Sequence, residues 1–169
     1  MNYFDYKNGA LYCEEVPVEN IVRATGSPVY IYSYRTIERH YKVFDNAFKG
    51  VPHIICYSCK ANSNIAILRA IGRLGGGVDI VSGGELYRSS AAYIPNDKIV
   101  FSGVGKTEEE IVAAIRSNIL MINVESEEEL STIARIASKM KKHVPLSIRV
   151  NPEIDPKTHP YITTGLKKN

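Results

Sequence analysis

Lys60 is the residue whose position first indicates chemistry. It follows an apolar run at residues 53–56 and comes shortly before a predicted helix. Burial disfavours the charged form of an amine, and an uncharged lysine amine can attack a carbonyl carbon. The alternative is that this lysine ends a strand simply by reaching solvent, since buried lysines are rare. The rest of the chain has to decide between these two interpretations.

Further polar residues lie where other strands are predicted to end. Strand alternation puts Ser58 and Lys60 on one face, separates Asp79 from its apolar neighbours, and places Arg149 opposite Ile148. Ligands of parallel α/β folds bind at the carboxyl ends of the strands. A charge at such a place is costly unless it is paired or used. These residues therefore predict either a ligand site or a structural ion-pair network.

Regular alternation of strands and helices begins at Thr36. Two helices start with a hydroxyl residue followed three positions later by glutamate, at Thr107 and Ser126, which predicts a reciprocal capping box at each. Strands rich in Ile and Val that alternate with helices require parallel pairing. The pattern predicts helices at residues 37–48, 64–74, 85–92, 108–117 and 127–140, and strands at residues 53–58, 78–81, 98–101, 120–124 and 146–150.

The strand starts recur every twenty-odd residues, which fits a (β/α) barrel as well as an open doubly wound sheet. Five such units do not close an eight-stranded barrel, so we expect an α/β chain that is part of a longer enzyme. The first 35 residues are less regular. They predict a hairpin around Asn8-Gly9, a short helix at residues 18–24 and a strand at residues 29–32.

The composition is that of a globular chain: 44% of the residues are hydrophobic, 23% are charged, and the net charge is +3. Basic residues are interspersed with acidic ones, so no nucleic-acid partner is predicted. No apolar stretch approaches the roughly 20 residues that span a bilayer, and the first residues do not resemble a signal peptide. We therefore expect a cytoplasmic protein with reduced cysteines and no membrane partner.

Several short patterns do not lead to a site. Residues 103–107 look like the end of a P-loop, but the first glycine required would fall at Val100. The glycines at 75–77 lack the third glycine of a dinucleotide fingerprint and predict a turn between a helix and a strand. Cys56 and Cys59 point to opposite faces of the predicted strand, which argues against a disulfide or a shared metal. The four histidines form no metal-ligand pattern.

A combination of longer segments carries a resemblance. The hexapeptide around Lys60 resembles the pyridoxal-phosphate lysine segment of the fold-type III decarboxylases, and residues 77–86 look like the next barrel segment of that family. Residues 149–152 and 158–165 are similar to the diaminopimelate decarboxylases within the family, and residues 101–107 and 123–126 agree with them. The resemblance covers nearly the whole chain from Pro28, with the segments in the order of the family.

This resemblance implies a partial (β/α)8 barrel of the alanine racemase-like type over residues 36–169. Residues 1–35 would pack on a second, β domain of the longer protein. It implies pyridoxal 5'-phosphate as cofactor, bound covalently by Lys60, which would be the catalytic residue. Asp79, Arg149, Ser58 and Glu85 would line the cofactor pocket, while His159 and Tyr161 would shape a loop at the barrel mouth.

The implied reaction is the decarboxylation of meso-2,6-diaminopimelate to L-lysine, with a homodimer as the full-length form. Ser58 departs from the family pattern, which commonly has alanine or proline there. The family's phosphate-binding loops and its dimer-interface segment would follow Asn169, so we expect the 169-residue chain to be inactive alone. Two alternatives stay open: another fold-type III amino-acid or polyamine decarboxylase, or a non-catalytic chain that binds pyridoxal phosphate or a partner.

Overall fold

The computed structural model describes residues 2–150 of the chain. None of the helices within this range is long and apolar enough to cross a membrane. In chain order the elements are β1 (Phe4–Lys7), β2 (Ala10–Cys13), β3 (Val16–Pro17), α1 (Val18–Thr25), α2 (Tyr34–Ala47), β4 (Cys56–Ser58), α3 (Ile65–Arg73), β5 (Gly77–Ile80), α4 (Gly83–Ala91), β6 (Ile99–Phe101), α5 (Glu108–Ser117), β7 (Met121–Val124), α6 (Glu127–Met140) and β8 (Leu146–Ile148).

The N-terminal residues form a small sheet of their own. Strands β1, β2 and β3 pair antiparallel in that order, and the β1–β2 turn has Asn8 and Gly9 at positive φ, as the Asn-Gly pair predicts. The predicted strand at residues 29–32 is wrong: this segment has no regular secondary structure, and Tyr30 is 89% exposed. Its β-forming residues find no strand to pair with among the described residues.

The N-terminal sheet is tied to the start of α2 by a carboxylate. Glu14 Oε1 accepts hydrogen bonds from Ser33 Oγ and from the backbone N–H of Arg35, each at 2.8 Å. Ser33 caps α2 by accepting a hydrogen bond from the N–H of Thr36. Helix α2 begins at Tyr34, which is two residues before the predicted boundary between the segments 1–35 and 36–169. The assignment of the first segment to a second domain stays a prediction.

The main sheet is parallel and has the strand order β4-β5-β6-β7-β8, so each strand pairs with the next along the chain. A doubly wound sheet reverses its strand order at a switch point, whereas a barrel adds strands in one direction. The sequential order therefore favours the barrel over the open sheet, which sequence spacing alone could not do.

The core lies between the sheet and helices α3–α6. Val78, Ile80, Ile99, Phe101 and Ile122 are fully buried and alternate with half-buried residues on the other face. Helices α5 and α6 have the predicted bounds, but the two predicted capping boxes differ. The box is complete at Thr107, where Glu110 accepts from the Thr107 N–H; at Ser126, the side chain of Glu129 accepts from the N–H of Glu125 instead.

The glycines before β5 have separate roles. Gly75 has φ +96° and makes the turn after α3, as predicted. Gly77 is already the first residue of β5, where its N–H donates to the carbonyl of Ile55 at 2.9 Å. A Cβ atom at Gly77 would lie 2.1 Å from the carbonyl oxygen of Lys98, so the close approach of the chain before β6 requires glycine there.

Candidate active site

A cavity of about 330 Å³ lies at the carboxyl ends of the five parallel strands. We call it the strand-end pocket. Three other cavities, of about 260 to 360 Å³, lie elsewhere on the described part of the chain. The strand-end pocket differs from them because every strand of the main sheet contributes to it. Each strand supplies one or two residues that lie at or just after its carboxyl end. Its lining residues are Lys60, Asp79, Val81, Ser102, Gly103, Asn123, Glu125 and Arg149.

Lys60 enters the pocket from a single 3-10 turn, Cys59–Ala61, that follows β4. The strand ends at Ser58, so the alternation used to place Lys60 on one face with Ser58 does not extend to it. Cys59 anchors the turn in the core and is fully buried. Tyr57 Oη donates to the carbonyl of Asn62 at 3.4 Å and closes the turn on its other side. The amine is therefore carried by a fixed backbone.

The side chain of Lys60 is exposed, so of the two interpretations of the sequence the structure supports a lysine that reaches solvent and not a buried one. The buried group at this place is the neighbouring thiol: desolvation, followed by the charge of Glu85, raises the pKa of Cys59 to about 12. That thiol stays uncharged at neutral pH and acts as a core residue. Lys60 is thus the accessible nucleophile of the turn, on the open side of the pocket.

Asp79 is the first member of a line of hydrogen-bonded polar side chains that crosses three neighbouring strands. Its Oδ1 accepts a hydrogen bond from Ser102 Oγ, just after β6, and Ser102 Oγ in turn accepts from Asn123 Nδ2 on β7 at 2.8 Å. All three side chains are half-buried. We call this the Asp79–Ser102–Asn123 chain. It holds the carboxylate on the face of the sheet that the strand-end pocket opens onto.

A carboxylate also fixes Arg149. Both carboxylate oxygens of Glu125 accept from Arg149 Nη1, at 2.9 and 3.2 Å, and Glu125 Oε1 also accepts from the N–H of Gly103 at 3.0 Å. The side chain of Glu125 is 8% exposed, whereas that of Arg149 is 55% exposed. The guanidinium is therefore held at one side and open to the pocket at the other.

The deeply buried lysine of this region is Lys106. Its Nζ donates to the carbonyl of Gly103 at 2.7 Å, to the carbonyl of Asn123 at 2.9 Å and to Glu129 Oε1 at 2.6 Å, and its side chain is 0% exposed. All three ammonium hydrogens thus have partners. Lys106 ties the loop after β6 to the end of β7 and to α6, which fixes the backbone of two pocket residues.

The remaining predicted site residues lie beside the pocket and do not line it. Ser58 is the register partner of Asp79 on the neighbouring strand. Glu85 Oε2 accepts from the N–H of Val81 at 2.8 Å, so its carboxylate caps the end of β5. Lys60, Asp79 and Arg149 are the predicted residues that the fold brings into one pocket. His159 and Tyr161 lie outside the described residues.

Four polar side chains that line or support the pocket were not predicted. Asn123 and Glu125 alternate with the buried Ile122 and Val124, so the alternation argument applied to Asp79 would have found them. Ser102 comes directly after the buried Phe101, so the same alternation argument would have found it. For Lys106 the sequence offers only a lysine in a glycine-rich loop, and such a residue is normally exposed.

The arrangement is suited to chemistry at an amine or carbonyl group. An accessible lysine amine can condense with an aldehyde, and carboxylates together with a guanidinium can hold an amino acid through its charged groups. Within the described residues, no group of three His, Cys, Asp or Glu side chains is placed to bind a metal ion. The candidate chemistry of the strand-end pocket is therefore that of a lysine amine.

Comparisons with known proteins agree with this chemistry. Residues 34–169 match the family model described as pyridoxal-dependent decarboxylase, pyridoxal binding domain. The chain is 50% identical to a diaminopimelate decarboxylase of Haemophilus influenzae over 169 residues, which is 100% of this chain and 41% of that protein. The chain thus spans about two fifths of the length of the curated relatives it matches.

Two solved structures have the same fold at substantial identity. Diaminopimelate decarboxylase from M. jannaschii in complex with L-lysine is 40% identical with a TM-score of 0.89, covering 98% of this chain and 40% of that one. The enzyme from Helicobacter pylori complexed with L-lysine is 47% identical with a TM-score of 0.85, covering 90% of this chain and 39% of that one. The five-stranded parallel sheet is therefore part of the α/β barrel of this family.

Proposed function

The chain belongs to the family of pyridoxal-dependent decarboxylases, and on that premise we propose that the protein containing it converts meso-2,6-diaminopimelate to L-lysine and carbon dioxide. The names of relatives at 43–50% identity support this substrate, as do the solved structures of similar enzymes with L-lysine bound. One observation carries the proposal: the fold places Lys60, Asp79 and Arg149 in a single pocket at the strand ends.

The pocket residues fit pyridoxal phosphate by their chemistry. The cofactor's aldehyde requires an accessible primary amine, which Lys60 supplies from a rigid turn. The volume of about 330 Å³ lies within the range of ~300–1,000 Å³ that is usual for ligand pockets. Of the lining residues, Lys60 and Arg149 are cationic, and Arg149 is already paired with Glu125. We therefore propose that groups outside the strand-end pocket bind the phosphate.

Each of the site residues predicted from the sequence has a proposed part in the reaction. When bound, the cofactor supplies the electron sink that makes loss of a carboxylate possible. Lys60 would hold the cofactor through its amine, and the same amine would carry the proton exchanged with the substrate amine. Asp79 would provide a carboxylate in the same pocket as the amine, and Arg149 would offer a guanidinium to an acidic group of the ligand. Ser58 and Glu85 support the pocket from its rim.

The activity belongs to the longer protein. Within the described residues β8 is exposed along its whole length and α2 has no buried residue, so one sheet edge and one helix face are uncovered. We therefore expect the 169-residue chain alone to produce no L-lysine. A homodimer in the cytoplasm is a further part of the proposal, which light scattering on the full-length protein and fractionation of its cells would test.

The decisive experiment combines product analysis with mapping of the cofactor lysine. The full-length protein is incubated with pyridoxal phosphate, reduced with borohydride and digested, and the labelled peptide is identified. We expect the label on Lys60 and none on Lys141, an exposed lysine that lies between α6 and the start of β8. L-lysine should form from meso-diaminopimelate, whereas ornithine and arginine should not react. A label at another lysine, or a preference for arginine, would overturn the respective part of the proposal.

A further inference from the structure

The direction of the Asp79–Ser102–Asn123 chain is set by the chemistry of its members. A carboxylate can only accept, so the single hydroxyl hydrogen of Ser102 points to Asp79 Oδ1. The hydroxyl oxygen then needs a donor, and Asn123 provides it through Nδ2 at 2.8 Å. The amide of Asn123 thereby prevents Ser102 from turning its hydrogen away from Asp79.

Main-chain contacts hold the two neutral members in place. The N–H of Ser102 donates to the carbonyl of Ile80 at 2.8 Å, which continues the β5–β6 pairing beyond the end of the strand. The carbonyl of Asn123 accepts from the buried Lys106 Nζ at 2.9 Å. Ser102 and Asn123 therefore have fixed backbones.

Asp79 depends on this chain for its orientation. Among the hydrogen bonds of the described residues, the one from Ser102 is the only one that its carboxylate receives. The second carboxylate oxygen is left for a group inside the strand-end pocket, which Lys60 also lines. Without Ser102, rotation about the Asp79 side chain would have no polar restraint from the described residues.

We propose that Ser102 and Asn123 are positioning residues that fix the Asp79 carboxylate relative to Lys60. The inference deepens the proposed function and rests on it, because the orientation of Asp79 matters for the reaction at Lys60. Neither residue has to touch the substrate: Asn123 acts through Ser102, and Ser102 acts through Asp79.

The test uses four variants of the full-length protein. Ser102→Ala removes the hydroxyl, Ser102→Thr keeps it, and Asn123→Asp replaces the donor by an acceptor, which draws the hydroxyl hydrogen away from Asp79. Ser147→Ala is the matched control: Ser147 is the register partner of Asn123 on β8, and within the described residues its hydroxyl makes no hydrogen bond. Thermal unfolding of every variant is followed in parallel.

Two readouts are measured for each variant. The first is the rate at which pyridoxal phosphate and borohydride label Lys60 in the cofactor-free protein. The second is the separation of kcat from KM for L-lysine formation. We expect Ser102→Ala and Asn123→Asp to lower the labelling rate and kcat about tenfold to a hundredfold, as a misplaced catalytic group does. Ser102→Thr should stay within about threefold of the wild type, and Ser147→Ala should not differ from it.

The outcomes separate this inference from the proposed function. If the wild type produces no L-lysine but Lys60 labelling still depends on Ser102, the positioning role stands and the substrate is wrong. If the wild type is active and Ser102→Ala labels and turns over normally, the positioning role is refuted. Equal losses in Ser102→Ala and Ser147→Ala would also refute it, by pointing to sheet packing. If Ser102→Ala does not fold, Asn123→Asp and Ser102→Thr are compared instead. The positioning role stands if Asn123→Asp lowers the labelling rate and kcat while Ser102→Thr does not, and it is refuted if the two variants behave alike.

Discussion

Replacing the buried Lys106 by methionine should destabilise the protein strongly, although no sequence pattern singles this residue out. Methionine has a similar length and can fill the same space, but it removes the charge and all three hydrogen bonds of Nζ. The main partner left behind is Glu129, whose side chain is 12% exposed. Water can therefore solvate the unpaired carboxylate of Glu129 only in part.

The magnitude follows from what remains unpaired. Removing one member of a buried ion pair costs about 3–5 kcal/mol, mostly because the other charge stays in a poorly solvated place. Glu129 keeps one compensating contact, since its Oε2 accepts from the N–H of Glu125 at 2.7 Å. Lys106 Nζ also lies 5.5 Å from the centroid of the Phe101 ring, and a methionine sulfur can replace this cation–π contact by a sulfur–aromatic one. We therefore expect the lower end of the range, about 3 kcal/mol.

A double-mutant cycle isolates the pair, with an exposed pair as control. Glu129→Gln keeps an oxygen for the Glu125 N–H but removes the charge, so the variant carrying both changes should be less destabilised than the sum of the single ones. Lys42 and Glu38 have the same N···O separation, within 0.1 Å, but side-chain exposures of 60% and 31%. Their coupling should be about 0.3–0.5 kcal/mol, as for other exposed helix pairs.

The assay is urea unfolding of the full-length protein without cofactor, followed by circular dichroism. Cofactor is left out because a ligand bound to the folded state would add its own stabilisation. The reasoning is refuted if Lys106→Met costs no more than Lys42→Met, or if the coupling of Lys106 with Glu129 does not exceed that of the exposed pair. Either result would mean that the pair is solvated in solution.

Three further predictions follow from local geometry. Gly77→Ala should lower the free energy of unfolding in urea by about 3 kcal/mol or more, because its Cβ would lie 2.1 Å from a backbone oxygen. Gly84→Ala is the control: no atom lies closer than 3.8 Å to its Cβ, so this change should be neutral or slightly stabilising. The N–H groups of Gly83 and then Thr107 lower the pKa of Glu110, so this carboxylate stabilises the fold above its unfolded pKa of about 4.5 and the contribution is lost as the pH falls through the folded value. Glu110→Gln should therefore destabilise more at pH 7 than at pH 3, and an equal effect at both would contradict this. Finally, Cys59 should not react with Ellman's reagent at pH 8 until urea unfolds the protein, since burial raises its pKa to about 12; rapid labelling of the native thiol would show that the turn opens.

Much of the architecture could be predicted because the determining interactions are local. The bounds of α5 and α6 follow from capping residues and from apolar spacing within the helices themselves. The segment at residues 29–32 failed for the opposite reason: strand formation requires a partner, and β-forming residues do not supply one. The choice between a barrel and a doubly wound sheet likewise depended on strand order, which is a relation between distant segments.

The features of the site also divide into those that the local sequence indicates and those that depend on the tertiary structure. The sequence by itself indicated that a lysine, an aspartate and an arginine lie at or just beyond the ends of three parallel strands, and parallel strands bring such ends to one edge. Only the tertiary structure decided which lysine is buried. Lys60 is exposed because its strand stops at Ser58 and a turn carries the amine outward, whereas Lys106 is buried because two carbonyls and a carboxylate from three segments converge on it. Burial depends on what the rest of the chain packs around a residue, and no short stretch of sequence contains that information.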